Sequence, residues 1–190
     1  MSSAHQWLFG YGSLIWRPDI DYIERRPAQL RGWSRRFWQG SHDHRGMPSQ
    51  PGRVVTLIEA PAAYCDGMAY LVDAATAAET FAALDHREKN GYERHELPLQ
   101  FHHDNSIRHG LVYVARQDNH AFLGETSLAE MAQQIAASKG PSGLNSDYLF
   151  DLARALRELG FEDPHVFELE VAVRQLVNAG GRAMHIEAHE

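Results

Sequence analysis

The apolar positions along the chain change their period from one region to the next. Trp7-Leu8-Phe9-Gly10 is a short apolar run that stops at the glycines of Gly10-Tyr11-Gly12-Ser13. It reads as a buried strand followed at once by a loop in which the backbone is free to turn sharply. Residues 28–38, 54–58 and 68–72 are rich in aromatic and β-branched side chains and are bounded by Gly, Pro and Asp; these read as strands. Between the first two, residues 42–52 hold Gly46, Pro48, Pro51 and Gly52, a composition that predicts an irregular surface loop.

From residue 74 to 88 the spacing becomes helical, with Ala78, Phe81, Ala82 and Leu84 on neighbouring faces, and the helix is predicted to stop near Asn90-Gly91. Residues 96–102 and 110–115 are the last predicted strands, and three helices follow over 127–138, 145–159 and 165–178. In the middle one Tyr148, Leu149, Leu152, Ala153, Leu156 and Leu159 form one apolar stripe, with Asn145 or Ser146 as its cap. The whole predicts an α/β fold of the α+β type: a mixed, barrel-like sheet with helices packed outside. Residues 1–179 read as a single domain, and residues 180–190, which carry no pattern, as a flexible tail.

A net charge of −7 over 190 residues, with the arginines scattered, gives no general attraction to phosphate backbones or anionic lipid. No eighteen apolar residues run together, and the first residues show no basic segment followed by an apolar one. The expected partner is therefore a small-molecule substrate rather than nucleic acid or membrane, and the expected location is cytoplasmic. The one cysteine, Cys65, cannot form an intramolecular disulfide and fits a reducing compartment.

Three stretches stand out chemically: residues 11–16 (Tyr-Gly-Ser-Leu-Ile-Trp), 87–92 (Arg-Glu-Lys-Asn-Gly-Tyr) and 140–145 (Gly-Pro-Ser-Gly-Leu-Asn). The first is either an ordinary turn or a set of backbone N–H groups offered to an anion. Glu88 is either one member of a solvated charge cluster or a partly desolvated carboxylate raised toward neutrality and able to act as a base. The third is either a plain helix cap or an anion-attracting helix start. No Gly-x-Gly-x-x-Gly or Gly-x-x-x-x-Gly-Lys pattern speaks for a nucleotide cofactor. Among the twelve histidines, the pairs His42/His44, His102/His103 and His185/His189 lack the partners of a zinc site, so neither a metal nor a cofactor is expected. Cys65 has no basic partner close in sequence and reads as structural.

Taken together, these stretches resemble the ChaC-type γ-glutamylcyclotransferases. The likeness runs from Leu8 to Leu176 and includes Gly40-Ser41-His42-Asp43-His44-Arg45-Gly46, Pro51-Gly52-Arg53-Val54-Val55-Thr56-Leu57 and Tyr148-Leu149-Phe150-Asp151-Leu152. One departure is Asn90, where relatives often carry glycine; Asn tolerates the left-handed backbone such a turn can require. The resemblance implies that Tyr11, Gly12, Ser13 and Leu14 hold a γ-glutamyl group and that Glu88 is the acid/base. Tyr148 is either a further substrate contact or a core aromatic.

The implied reaction is cleavage of glutathione to 5-oxoproline and Cys-Gly by attack of the substrate's own α-amine, without a cofactor. The alternatives are a cyclotransferase for other γ-glutamyl amino acids or amines, or a non-catalytic regulatory protein of the same fold. An arginine of the Arg- and His-rich stretch from Arg35 to Arg53 is expected to pair with the distal carboxylate, Arg45 and Arg53 being the first to test.

Overall fold

Five strands close on themselves in the order β1-β3-β2-β4-β5. The computed structural model describes the backbone of residues 4–187 and the side chains of residues 4–180. The strands are β1 (Gln6–Gly10), β2 (Glu24–Ser41), β3 (Gly52–Val72), β4 (Tyr92–Phe101) and β5 (Ile107–Ala115). All neighbours pair antiparallel except β1 with β5, a parallel pair that shuts the barrel. The helices are α1 (Ala77–Arg87), α2 (Leu128–Ala137), α3 (Asn145–Glu158) and α4 (Pro164–Glu187), and β6 (Lys139–Gly140) and β7 (Gly143–Leu144) make a two-residue hairpin before α3.

Alternation along β1 divides the core. Phe9 points into a cluster with Leu30, Phe37, Leu57, Leu99 and Val112, which also receives Ile135, Leu149, Leu152, Leu156, Val166 and Val173 from the last three helices. Leu8 joins Met68, Tyr70 and Tyr113 in a second cluster, closed by Phe81 and Leu84 of α1. The barrel wall thus carries α1 on one side and the other three helices on the other.

Several sequence expectations change here. The segments at 54–58 and 68–72 are one strand, β3, because β2 accompanies it throughout. Arg31 pairs with Tyr64 and Trp33 with Glu59, so the four residues between Glu59 and Tyr64 oppose Gly32 alone and bulge outward. Gly32 accommodates this with φ +83. That exposed Ala-Pro-Ala-Ala stretch has no strand-like pattern, which is why the sequence breaks the strand in two. On α1 the buried residues are Ala77, Phe81 and Leu84, while Ala78 and Ala82 face out.

The expected Asn145 cap is also replaced. Its side chain instead accepts from Arg53 N and donates to Arg53 O, both at 2.8 Å, tying α3 to β3. The helix of residues 164–187 continues past residue 180, where the sequence pattern ends. Cys65 lies in the barrel core, 2% exposed, with burial pushing its thiol up to about 11. The thiol donates to the Asp66 carbonyl at 3.8 Å, which also accepts from Arg35, and that guanidinium opposes the burial shift without reversing it. Among the described residues no three His, Cys, Asp or Glu side chains converge as metal ligands; the side chains of His185 and His189 lie outside the described residues.

Candidate active site

β1 ends against its neighbour strands, and the chain turns at once into a short 3-10 segment, Ser13–Ile15. Such a turn leaves its first N–H groups without partners in the segment. Tyr11 anchors the turn from below: its hydroxyl donates to Tyr113 O at 2.6 Å, and its carbonyl accepts from Arg35 Nε at 2.7 Å. Arg35 is buried and its charge is met by Asp163 at 2.5 Å. Arg87, the last residue of α1, holds the turn from above by donating to Ser13 Oγ at 2.8 Å and to the Pro18 carbonyl at 3.2 Å.

Glu88 is the C-cap of α1, its N–H donating to Leu84 O at 2.8 Å. The chain then reverses through Gly91, at φ +88, into β4. Asn90 does not adopt the left-handed conformation that its place in the turn suggested; Gly91 does so, and the Asn90 side chain donates to Gly40 O at 3.0 Å. This turn aims the Glu88 side chain, 19% exposed, into the cleft between the first loop and the 42–51 loop.

Two adjoining cavities meet at that carboxylate. The inner one is lined by Tyr11, Gly12, Ser13, Leu14, Glu88 and Tyr148, so all six residues selected from the sequence face one space, along with Tyr92 and Tyr113. The outer one shares Ser13, Glu88, Tyr92 and Tyr148 and opens toward Arg17, Asp43, His44, Arg45 and Ser142. Burial raises the Glu88 carboxyl above the usual carboxylate range; Arg87, with Nε 3.6 Å from Oε1, opposes the shift, and the nearby Asp43 carboxylate adds to it. The Tyr11 and Tyr92 hydroxyls are also raised, by burial first, with repulsion from Glu88 contributing to both, so both stay neutral beside it. Tyr92 spends its proton on Val55 O at 2.7 Å.

Tyr148 answers both sequence readings, since it packs edge-on to Trp16 and Phe37 in the core and still lines both cavities. The two arginines separate. The Arg45 guanidinium donates to Leu144 O at 2.9 Å, lies 5.9 Å above the Tyr148 ring and lines the outer cavity. Arg53 is turned away: its Nε donates to Gln134 at 2.6 Å, and its Nη1 to Phe37 O and Gly124 O at 2.9 and 3.1 Å. Its expected role on a substrate carboxylate is therefore withdrawn. Sequence reasoning missed Arg17, Asp43 and Tyr92, although Asp43 and Tyr92 sit inside two of the stretches it singled out.

A family model described as ChaC-like protein matches residues 6–176. A gamma-glutamylcyclotransferase 2-3 of Arabidopsis thaliana is 41% identical, covering 90% of each chain. A glutathione-specific gamma-glutamylcyclotransferase of Schizosaccharomyces pombe is 41% identical over 89% of this chain and 92% of its own. The human glutathione-specific gamma-glutamylcyclotransferase 1 is 40% identical over 88% of this chain and 78% of its own. The crystal structure of a glutathione-specific γ-glutamyl cyclotransferase from yeast superposes with a TM-score of 0.83 at 32% identity, covering 92% of this chain and all of that one. A structure described as gamma-glutamyl cyclotransferase, 12% identical with a TM-score of 0.56, shares the fold.

Proposed function

Because the chain belongs to the ChaC-like protein family, we propose that it is a γ-glutamylcyclotransferase that cleaves glutathione to 5-oxoproline and Cys-Gly. The observation that carries this reading is a single carboxylate, Glu88, raised in pKa and placed where two adjoining cavities meet.

The γ-glutamyl group enters the inner cavity, with its α-carboxylate or the developing oxyanion facing the N–H groups of the Tyr11–Leu14 loop. No enzyme nucleophile is needed, because the α-amine reaches the γ-carbonyl by closing a five-membered ring. What the protein supplies is the folded-back rotamer and a proton carrier. Glu88 takes a proton from the α-ammonium, the freed nitrogen attacks the γ-carbon, and the bond from that carbon to the cysteinyl nitrogen breaks. The α-ammonium loses two protons on the way to the lactam and the departing amine gains two. One carboxylate can carry both across.

Glutathione rather than a shorter γ-glutamyl amino acid is favoured by Arg17 and Arg45 on the outer cavity, whose guanidinium groups suit a second carboxylate at the far end of the substrate. The test is to incubate the purified protein with glutathione and with γ-glutamyl-alanine and to assay 5-oxoproline. Faster release from glutathione is expected; release from neither would overturn the reading, and equal rates would widen it to γ-glutamyl compounds generally.

A further inference from the structure

Asp43 lines the outer cavity and not the inner one, whereas Glu88 lines both. Its Oδ1 is buried and has no hydrogen-bond partner among the described residues. Oδ2 lies 3.9 Å from His44 Nε2. The side chain as a whole is 39% exposed, and its accessible part is what a ligand in the outer cavity meets.

The loop that carries Asp43 is closely packed. Arg45 N donates to Ser41 Oγ and Ser142 N to His44 O, both at 2.9 Å. A Cβ on Gly46 would collide with the backbone of Gly52, and one on Gly140 with the His44 carbonyl, so the 42–51 loop and the hairpin before α3 are pressed together. Asp43 is thus held on the outward side of Glu88.

On the cyclotransferase reading, on which this inference rests, the scissile bond lies at Glu88 and the γ-glutamyl part lies inward. The nitrogen of the departing dipeptide is then on the side of Asp43. That nitrogen begins as a neutral amide N–H and ends as an ammonium, gaining two protons as its bond to the γ-carbon breaks. We propose that Asp43 is the leaving-group residue of this site: the accessible part of its carboxylate accepts the hydrogen of the scissile amide nitrogen and then holds the ammonium which that nitrogen becomes. The attraction grows as positive charge develops, so it is stronger in the transition state than in the bound substrate, which is what accelerates a step. The same charge accounts for the contribution of Asp43, behind burial, to the raised carboxyl of Glu88.

The test uses two ligands on the whole protein: Cys-Gly, with its free ammonium, and mercaptopropionyl-glycine, the same skeleton without that nitrogen. Both are titrated calorimetrically into the wild type, Asp43→Asn and Asp43→Glu. Asp43→Asn should weaken Cys-Gly about tenfold or more, the scale of one hydrogen bond to a charged group. It should leave the nitrogen-free ligand within about twofold, as a change that touches no contact does, and that retained affinity also reports a folded pocket. Asp43→Glu should recover part of the preference, and Asp43→Asn should lower kcat on glutathione more than it raises KM. Equal loss of both ligands in both variants, or loss of neither, would overturn the assignment. Failure of the enzymatic reading looks different: the wild type would form no 5-oxoproline, a result read from turnover that would remove the leaving-group role whatever the binding shows.

Discussion

The hydroxyl oxygen of Tyr148 stands 2.8 Å from the point where a Cβ on Gly12 would lie, and Val55 Cγ2 stands 2.9 Å from it. The first loop and α3 are thus in contact through a position that only hydrogen can fill. Gly12→Ala is expected to destabilise the protein by about 1–3 kcal/mol, the range for overpacking a closed site, and to reduce turnover by displacing the loop. Adding Tyr148→Phe removes the oxygen and should recover part of the stability, Val55 withholding the rest. Urea midpoints of the two variants measure this; no recovery in the double variant would show that Tyr148 is not the obstacle.

Glu88→Gln keeps the shape of the side chain and cannot take up a proton. It should lower kcat by about a hundred- to ten-thousand-fold, the usual weight of general acid–base catalysis, with little change in the binding of Cys-Gly. Turnover close to that of the wild type would place the proton carrier elsewhere.

The same substitution has a pH signature in stability. The folded protein holds the Glu88 proton above the usual carboxylate range. The group therefore stabilises the fold below the ordinary glutamate value of about 4.3, and this contribution is lost as pH rises through the raised folded value. At neutral pH the ionised carboxylate burdens the fold, and Glu88→Gln should unfold at higher urea than the wild type. The advantage should shrink on acidification to below the ordinary value. A difference that stays constant with pH would mean that Glu88 titrates normally.

Arg45 and Arg53 should respond differently to alanine. Arg45→Ala is expected to raise KM for glutathione while affecting γ-glutamyl-alanine less, since its guanidinium reaches only the outer cavity. Arg53→Ala abandons Gln134 and two backbone carbonyls, at about 1–3 kcal/mol for each buried group left unpaired, and should lower stability without changing substrate preference in whatever folds. Steady-state kinetics on both substrates, set beside unfolding curves, separates these; a substrate-selective defect in Arg53→Ala would contradict the geometry.

The residues of the inner cavity were legible through the family resemblance, which short contiguous stretches carry; glycine spacing and a lone carboxylate by themselves left an ordinary turn and a solvated charge cluster open. The outer cavity was not, because its character depends on which way long side chains turn. Arg45 and Arg53 look equivalent in sequence, and only the acceptors at Phe37, Gly124 and Gln134 decide that one is structural. Asp43 looked like one polar loop residue among several until the packing of Gly46 and Gly140 showed how little room the loop has. The unity of β3 was hidden for a related reason: its outward bulge has a loop's composition, and only pairing with β2 keeps it a strand.

The barrel also decides how the protein meets the chemistry of a thiol-bearing substrate. Disulfide exchange and alkylation require an accessible thiolate, and the one sulfhydryl of this chain is enclosed in the core with its ionisation pushed up to about 11. Cys65 is therefore poorly placed to form a mixed disulfide with glutathione.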